Sequence, residues 1–370
     1  MSIGDRLQYA RQRAALTGPQ VSESTGIGTS SLSDFENDKR SPSVSQLQKL
    51  AEVYRRSVGF FLEEGPLPRE VILWRKRPEE EAPSVEMQFL KLCQQYHRLE
   101  MWCGEVNPPC LPEGAGNAVS YTYVDAEALA KQVRDQLELG DRPGLSLLTV
   151  LEEVCGVKVF HLDFAPTGTA ASTWSDIFGA AVLLNKGNVR WRRNFDLAHE
   201  LFHLLTWSVF RKPEEANVTS FCASEDEEKF ATCFARNLLM PADVAKKAFA
   251  DKRKDGRLSF EAVFDIARQF DVSVEALLRH LSFLGIVDRG MVENAVDRAK
   301  LLAPMLEDRQ RSTEPPTWPE RYKALAMKAL RHGSISIGRF AEYLEISRHE
   351  AMKYVEQEVT DDAEVPVTPA

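Results

Sequence analysis

Two histidines four residues apart, His199 and His203, stand with Glu200 just after the first in the run Arg190–Trp207. On an α-helix, positions i and i+4 lie almost one above the other, so both imidazoles can reach one ion, and Zn²⁺ suits such a pair. Glu200 is then placed to take a proton from an attacking water. Phe195, Leu197, Ala198, Leu201, Phe202, Leu204 and Leu205 make the segment apolar nearly all round, which predicts a buried helix. A carboxylate and two imidazoles are unfavourable inside such a helix unless they are paired or metal-bound. The pattern calls for a third ligand on a second helix.

That helix is predicted to start at Ser224. Ser224 and Glu227 read as a capping box, which gives Glu227 a structural task. Glu228 shares a helical face with Ala231, Thr232, Ala235 and Leu239, residues small or apolar enough to pack on the first helix. Any acidic residue is favourable in a first turn. The residues alone therefore leave Glu225 and Glu227 as competitors of Glu228.

The elements that must position these groups follow from patterning. Val157–Phe160, Ala171–Trp174 and Ala180–Leu184 read as strands, the last running through Asn185-Lys186-Gly187 straight into the His199 helix. An exposed edge of that sheet could hold an extended peptide by backbone pairing. Asp125 caps a preceding helix closed by Gly140, and Ser146–Val154 forms another that ends at Gly156. His97, His161, His280, His332 and His349 have no partner at metal-ligand spacing and read as structural.

Residues 1–64 show an all-helical pattern, with a second short helix closed by Gly26 and a third opened by Thr29. Two helices joined through Gly26-Ile27-Gly28 are a helix-turn-helix, whose second member would enter the major groove. Residues 65–120 read as a charged, proline-containing linker and a connecting helix, with Arg75-Lys76-Arg77 and Glu79-Glu80-Glu81 as solvated runs. Residues 121–285 hold the metal motif. Residues 286–360 are helical again and hold a second helix-turn-helix-like pattern around Ser334–Arg348. Lacking a dense basic face, this unit is expected to contact protein or form a homodimer. Residues 361–370 read as a disordered tail.

Composition sets the outer limits. A chain of 370 residues exceeds one typical core, and its 44 % hydrophobic and 27 % charged content is that of a globular protein. A net charge of −9 excludes a general electrostatic attraction to nucleic acid, though not a local basic face. No apolar run reaches membrane-spanning length, so no membrane partner is expected. The six cysteines form no CxxC pair, which points to reduced thiols and a cytoplasmic setting.

Two family resemblances add to this reading. Arg6-Leu7, Arg11, Gly26-Ile27, Ser31-Leu32-Ser33, Phe35-Glu36, Arg40-Ser41-Pro42-Ser43 and Leu47–Leu50-Ala51 resemble the Cro/C1-type (XRE) helix-turn-helix family. That resemblance implies that Thr29, Ser30, Ser31, Ser33 and Asn37 face DNA, with Arg40 near a phosphate. Gly18 replaces the glutamine common at the start of the second helix, and Asp34 replaces a common basic residue on the third.

The run from Leu183-Leu184-Asn185 through Arg193-Asn194-Phe195 and His199-Glu200 to Glu228-x-x-Ala231, Phe234-Ala235 and Leu238-Leu239-Met240-Pro241 resembles the ImmA/IrrE family of metallopeptidases. This resemblance maps the third zinc ligand onto Glu228. It implies a mainly α fold with a small β-sheet (α+β), in which a helix-turn-helix bundle and a C-terminal helical domain flank a zincin-like peptidase core. It further implies cleavage of one specific protein, such as an XRE-type repressor, in a stress, phage or mobile-element response. Phe202 stands where the family often has glycine, and Thr232 where it often has Asn or Asp. Arg192 and Arg193 are expected to be solvated at the helix start.

Overall fold

The computed structural model describes residues 2–65, 70–79, 81–106, 110–114, 116–211, 220–253, 258–306 and 314–361. The expected disordered tail thus lies, beyond Asp361, outside the described residues. The first five helices are α1 (Ile3–Arg13), α2 (Gly18–Thr25), α3 (Thr29–Glu36), α4 (Val44–Val53) and α5 (Val58–Leu62). Ser2 and Ser43 cap α1 and α4 by accepting from Asp5 N and Gln46 N, and Gly26 ends α2 in the left-handed region at φ 70°. Leu7, Val21, Leu32, Phe35, Leu50 and Tyr54 close a core of their own. Arg11 grips Glu36 with two hydrogen bonds of 2.6 and 2.8 Å, joining α1 to α3.

The segment expected to be a solvated linker is part of the central sheet instead. Val71–Trp74 forms β1, an apolar four-residue run, and Ala82–Cys103 forms the long helix α6. After α7 (Tyr123–Gln136) and α8 (Pro143–Thr149) come β2 (Lys158–Leu162), β3 (Ala170–Ser175) and β4 (Gly179–Asn185). Helices α9 (Arg190–Leu205) and α10 (Trp207–Phe210) follow, then β5 (Ser220–Cys222) and α11 (Glu225–Leu239). The strand order is β2-β4-β3-β1-β5, with β2–β4 and β1–β5 parallel and the other pairs antiparallel. Val71 pairs with Trp174 and Trp74 with Ala171, so the edge of β3 is covered, and among the described residues the sheet's outer strands are β2 and β5.

Both faces of this sheet are buried, by the two-residue side-chain period of strands. Val159, Ala170, Val182 and Leu184 face a core shared with α7, α9 and α11. Ile72, Trp74, Phe160, Ala171 and Leu183 face a second core with α6. Burying each such large apolar side chain contributes about 1.5–3 kcal/mol.

The remaining helices are α12 (Ala242–Lys252), α13 (Phe260–Phe270), α14 (Val274–Phe283), α15 (Arg289–Leu306), α16 (Glu320–Arg331), α17 (Ile337–Leu344) and α18 (Arg348–Asp361). The C-terminal unit turns its apolar residues inward. Tyr322, Leu325, Ala329 and Phe340 join Tyr96 and Phe160 in the second core. Buried Glu100 on α6 reinforces this joint by pairing with Lys158 of β2 at 2.9 Å and with Arg321 of α16 at 2.6 Å. Among the described residues no helix is long and apolar enough to cross a membrane.

Candidate metal centre

The turn after β4 launches α9 across the sheet, where Leu197 and Leu201 pack into the first core. The helix is buried as its composition predicts. Its polar side chains Asp196, His199, Glu200 and His203 are 0–1 % exposed. Ala231 and Ala235, both fully buried, let α11 lie close against α9 and bring Glu228 opposite the two imidazoles.

His199 Nε2 lies 3.1 Å from Glu228 Oε2, and His203 Nε2 lies 3.4 Å from Glu228 Oε1. One ligand atom from each of the three residues falls within 4.8 Å of the others. Glu225 and Glu227 are not part of this convergence. His203 Nε2, Glu228 Oε1 and Glu200 Oε1 are buried without a hydrogen-bond partner. Such unsatisfied atoms are rare in interiors and need an explanation. Two imidazoles and a carboxylate converging in this way form a donor set that fits a zinc ion with one open position.

The electrostatics favour a cation at the same point. Burial pushes His199 down to about 3, so its ring is neutral and ready to donate a lone pair. Burial opposes the charge of Glu228, yet the facing imidazoles of His199 and His203 hold its carboxyl down at about 2. Burial likewise works against a charged His203, but contacts to Glu227 and Glu228 raise it to about 9. The two imidazoles thus shift in opposite directions. The positive charge that two carboxylates demand beside His203 can come from a proton or from a metal ion, and the metal requires the proton to leave. For Glu200, burial raises the carboxyl to about 7, against the opposing pull of His203 and Ser172.

Several supporting residues escape a reading of sequence alone. Glu227 donates its main-chain N–H to Ser224 Oγ at 3.2 Å, so the cap is present. Its carboxylate, however, does not complete a capping box. It accepts from His203 Nδ1 at 2.8 Å and is also contacted by Arg211. This bond fixes the ring so that Nε2 faces the centre. Ser172 Oγ donates to Glu200 Oε2 at 2.8 Å, because Ser172 shares the α9-facing side of β3 with Ala170.

Arg75, expected in a solvated run, follows β1 into the site. It reaches Asp196 Oδ1 at 3.1 Å and lies 3.9 Å from Glu228 Oε2. Arg192 and Arg193 also differ from expectation. Arg192 binds Asp196 and the Gly168 carbonyl, and Arg193 is 8 % exposed and donates to the Asn188 carbonyl. The strand-like run Val71–Trp74 was the available signal for Arg75; Ser172 had none until the strand register was known.

A cleft of about 490 Å³ opens over Glu228, between Arg75, Tyr123, Thr232, Arg236 and Phe283. Thr232 lines this cleft. Phe202 turns away from it, packing its ring against Tyr121 at 5.8 Å and Phe234 at 5.7 Å. At the other end of the chain, α3 presents Thr29, Ser30 and Ser33 outward, followed by exposed Asn37 and Arg40; Ser31 is half-buried. Leu32 and Phe35 turn inward. The Asn37 amide already donates to the Ser33 carbonyl at 2.7 Å.

Comparison with known proteins agrees with both halves of this arrangement. Residues 7–61 match a helix-turn-helix family. A 62-residue stretch is 40 % identical to the HTH-type transcriptional regulator ImmR of Bacillus subtilis, covering 17 % of this chain and 49 % of that protein. A 70-residue stretch is 40 % identical to the HTH-type transcriptional regulator PuuR of Escherichia coli, covering 19 % and 38 % respectively. The chain thus spans about half the length or less of these curated relatives. The crystal structure of ComR from Streptococcus suis aligns over 98 % of this chain and 97 % of that one, at 12 % identity and a TM-score of 0.16. Residues 152–282, which include the whole His199–His203–Glu228 group, match the IrrE N-terminal-like domain, Peptidase M78. The chain carries an IrrE N-terminal-like domain of the M78 peptidase family behind an N-terminal helix-turn-helix domain of the XRE type.

Proposed function

We propose that this protein is a cytoplasmic zinc-dependent peptidase that cleaves one specific regulatory protein, such as a repressor of the XRE class. The observation that carries this reading is the buried, unpartnered Glu200 Oε1 on the same helix as the two imidazoles that converge with Glu228. His199, His203 and Glu228 would hold the ion. When bound, zinc supplies Lewis-acid polarisation of a carbonyl and acidifies water.

Glu200 takes one proton from the attacking water as its oxygen adds to the scissile carbonyl carbon. It returns that proton to the amine nitrogen as the C–N bond breaks. Ser172 orients Glu200 through the far carboxylate oxygen, leaving Oε1 free for the proton. The cleft over Glu228 gives a substrate side chain room, and the outer edge of β5 offers backbone groups for an extended segment.

The exposed face of Thr29, Ser30, Ser33, Asn37 and Arg40, with half-buried Ser31, would read DNA. The regulators matched by this part of the chain favour a second reading, in which DNA binding is the main activity and the metal is structural or sensory. Mapping new protein N-termini in cells separates the two. Cells expressing the protein are expected to show one or a few new N-termini that are missing when Glu200→Gln replaces it. Identical sets of N-termini, with gene regulation intact in both, would leave the peptidase reading without support.

A further inference from the structure

A second cavity, of about 640 Å³, lies where three parts of the chain meet: α4 and α5 of the first unit, α6, and α17 of the C-terminal unit. Its volume falls in the range of small-molecule sites. Residues Arg55, Lys91, Arg98 and Arg339 line it, together with Trp102 and Tyr343. The charge there runs against the chain as a whole, which is net −9.

The partners of these cations narrow the ligand. Arg56, also on the wall, is neutralised by Glu70 at 2.6 Å, and Arg339 is balanced by Glu342 at 3.4 Å. Among the described residues Arg55 donates to neutral oxygens, those of Ser84 and Gln88, and Arg98 donates to Ser57 Oγ. Among the described residues Arg55, Lys91 and Arg98 have no carboxylate partner, and one further acid, Glu52, lines the cavity. Three half-buried cations lining one cavity, none paired to a carboxylate, repel one another, and an anion entering between them relieves that repulsion.

The aromatic wall adds shape. Trp102 stacks on Tyr343 with centroids 6.2 Å apart and planes 24° from parallel. Tyr343 is buried, whereas Trp102 remains 38 % exposed. An exposed indole of this kind is a stacking platform for a planar ring. We infer that this cavity binds a nucleoside phosphate, its phosphates among Arg55, Lys91 and Arg98 and its base against Trp102. No residue of α3 lines the cavity, so the site is separate from the expected DNA face. A ligand held there would bridge the helix-turn-helix unit to α6 and α17 and set the orientation in which α3 is presented.

Calorimetric titration of the full-length protein tests this, with ATP, GTP and AMP as probes, inorganic triphosphate as a ring-free anion and adenosine as a charge-free ring. At least one nucleotide is expected to bind more tightly than both fragments. Lys91→Glu and Trp102→Leu are each expected to weaken it about tenfold or more. Arg40→Ala, on the expected DNA face, should leave nucleotide affinity unchanged. Two outcomes would overturn the inference: no nucleotide binding at millimolar concentration, whether or not duplex DNA binds through Lys91, or equal affinity in Lys91→Glu. Triphosphate binding as tightly as ATP and insensitive to Trp102→Leu would overturn the nucleoside assignment in favour of a simple anion.

Discussion

Glu200→Gln is expected to cut peptide cleavage by roughly 10²–10⁴-fold while leaving metal content and folding unchanged. The substitution keeps the size of the side chain, and its amide can still receive the Ser172 hydrogen bond. What it removes is the ability to accept a proton. General base catalysis of this kind contributes roughly 10²–10⁴-fold to rate, so turnover should fall by about that factor. Glu200 does not join the converging ligand atoms, which belong to His199, His203 and Glu228. Replacing one of those should instead strip the metal and the activity together. A Glu200→Gln protein that cleaves at wild-type rate would show that another group moves the proton.

The second large effect is on stability. Glu70→Ala is expected to destabilise the joint between the helix-turn-helix unit and α6 by about 3–5 kcal/mol. Glu70 is 3 % exposed and accepts from both arms of the Arg56 guanidinium, at 2.9 and 2.6 Å. Gln94 of α6 donates to the same carboxylate at 2.7 Å, and Arg13 of α1 donates to the Glu70 carbonyl at 2.8 Å. Deleting the carboxylate leaves Arg56 buried and unpaired, at 5 % exposure.

The sign of the pH dependence follows. Burial alone would raise the Glu70 carboxyl, but Arg56, Arg13 and Gln94 together hold the group below its ordinary value. Its contribution is therefore present above the ordinary glutamate range and is lost as pH falls through the lowered value in the folded state. Urea unfolding followed across that acid range should show a loss of stability in the wild type that is absent in Glu70→Ala. A difference below about 1 kcal/mol at neutral pH would mean that the pair contributes no more than a surface ion pair.

The pairing of the two candidate ligands was legible because helical spacing places His199 and His203 on one face, whatever the rest of the fold does. Glu228 was legible only in part. Its small neighbours marked a close-packed face, but the rival Glu227 could not be set aside on residues alone. The structure shows why both mattered: Glu228 converges with the two imidazoles, and Glu227 orients one of them. The capping-box reading was half right, since Ser224 caps the helix while the glutamate carboxylate turns to His203.

Long-range pairing was what patterning could not supply. Val71–Trp74 carries the apolar run of a strand, yet the prolines and charges around it made it read as a linker. Its partners, Ala171–Trp174 and Ser220–Cys222, lie about a hundred or more residues away. Arg75 and Ser172 reach the site only through that pairing and the strand register. The inward turn of the C-terminal helices was hidden for the same reason, because an apolar stripe shows that a face is covered and not by what.

The central claim is that His199, His203 and Glu228 hold a metal ion that peptide hydrolysis requires. The most direct measurement takes the substrate found by N-terminal mapping, strips the purified protein with a chelator, and then adds zinc back at one equivalent. Cleavage is expected to disappear on stripping and to return with zinc in the wild type but not in Glu228→Ala. Cleavage that continues undiminished in the metal-free protein would contradict it.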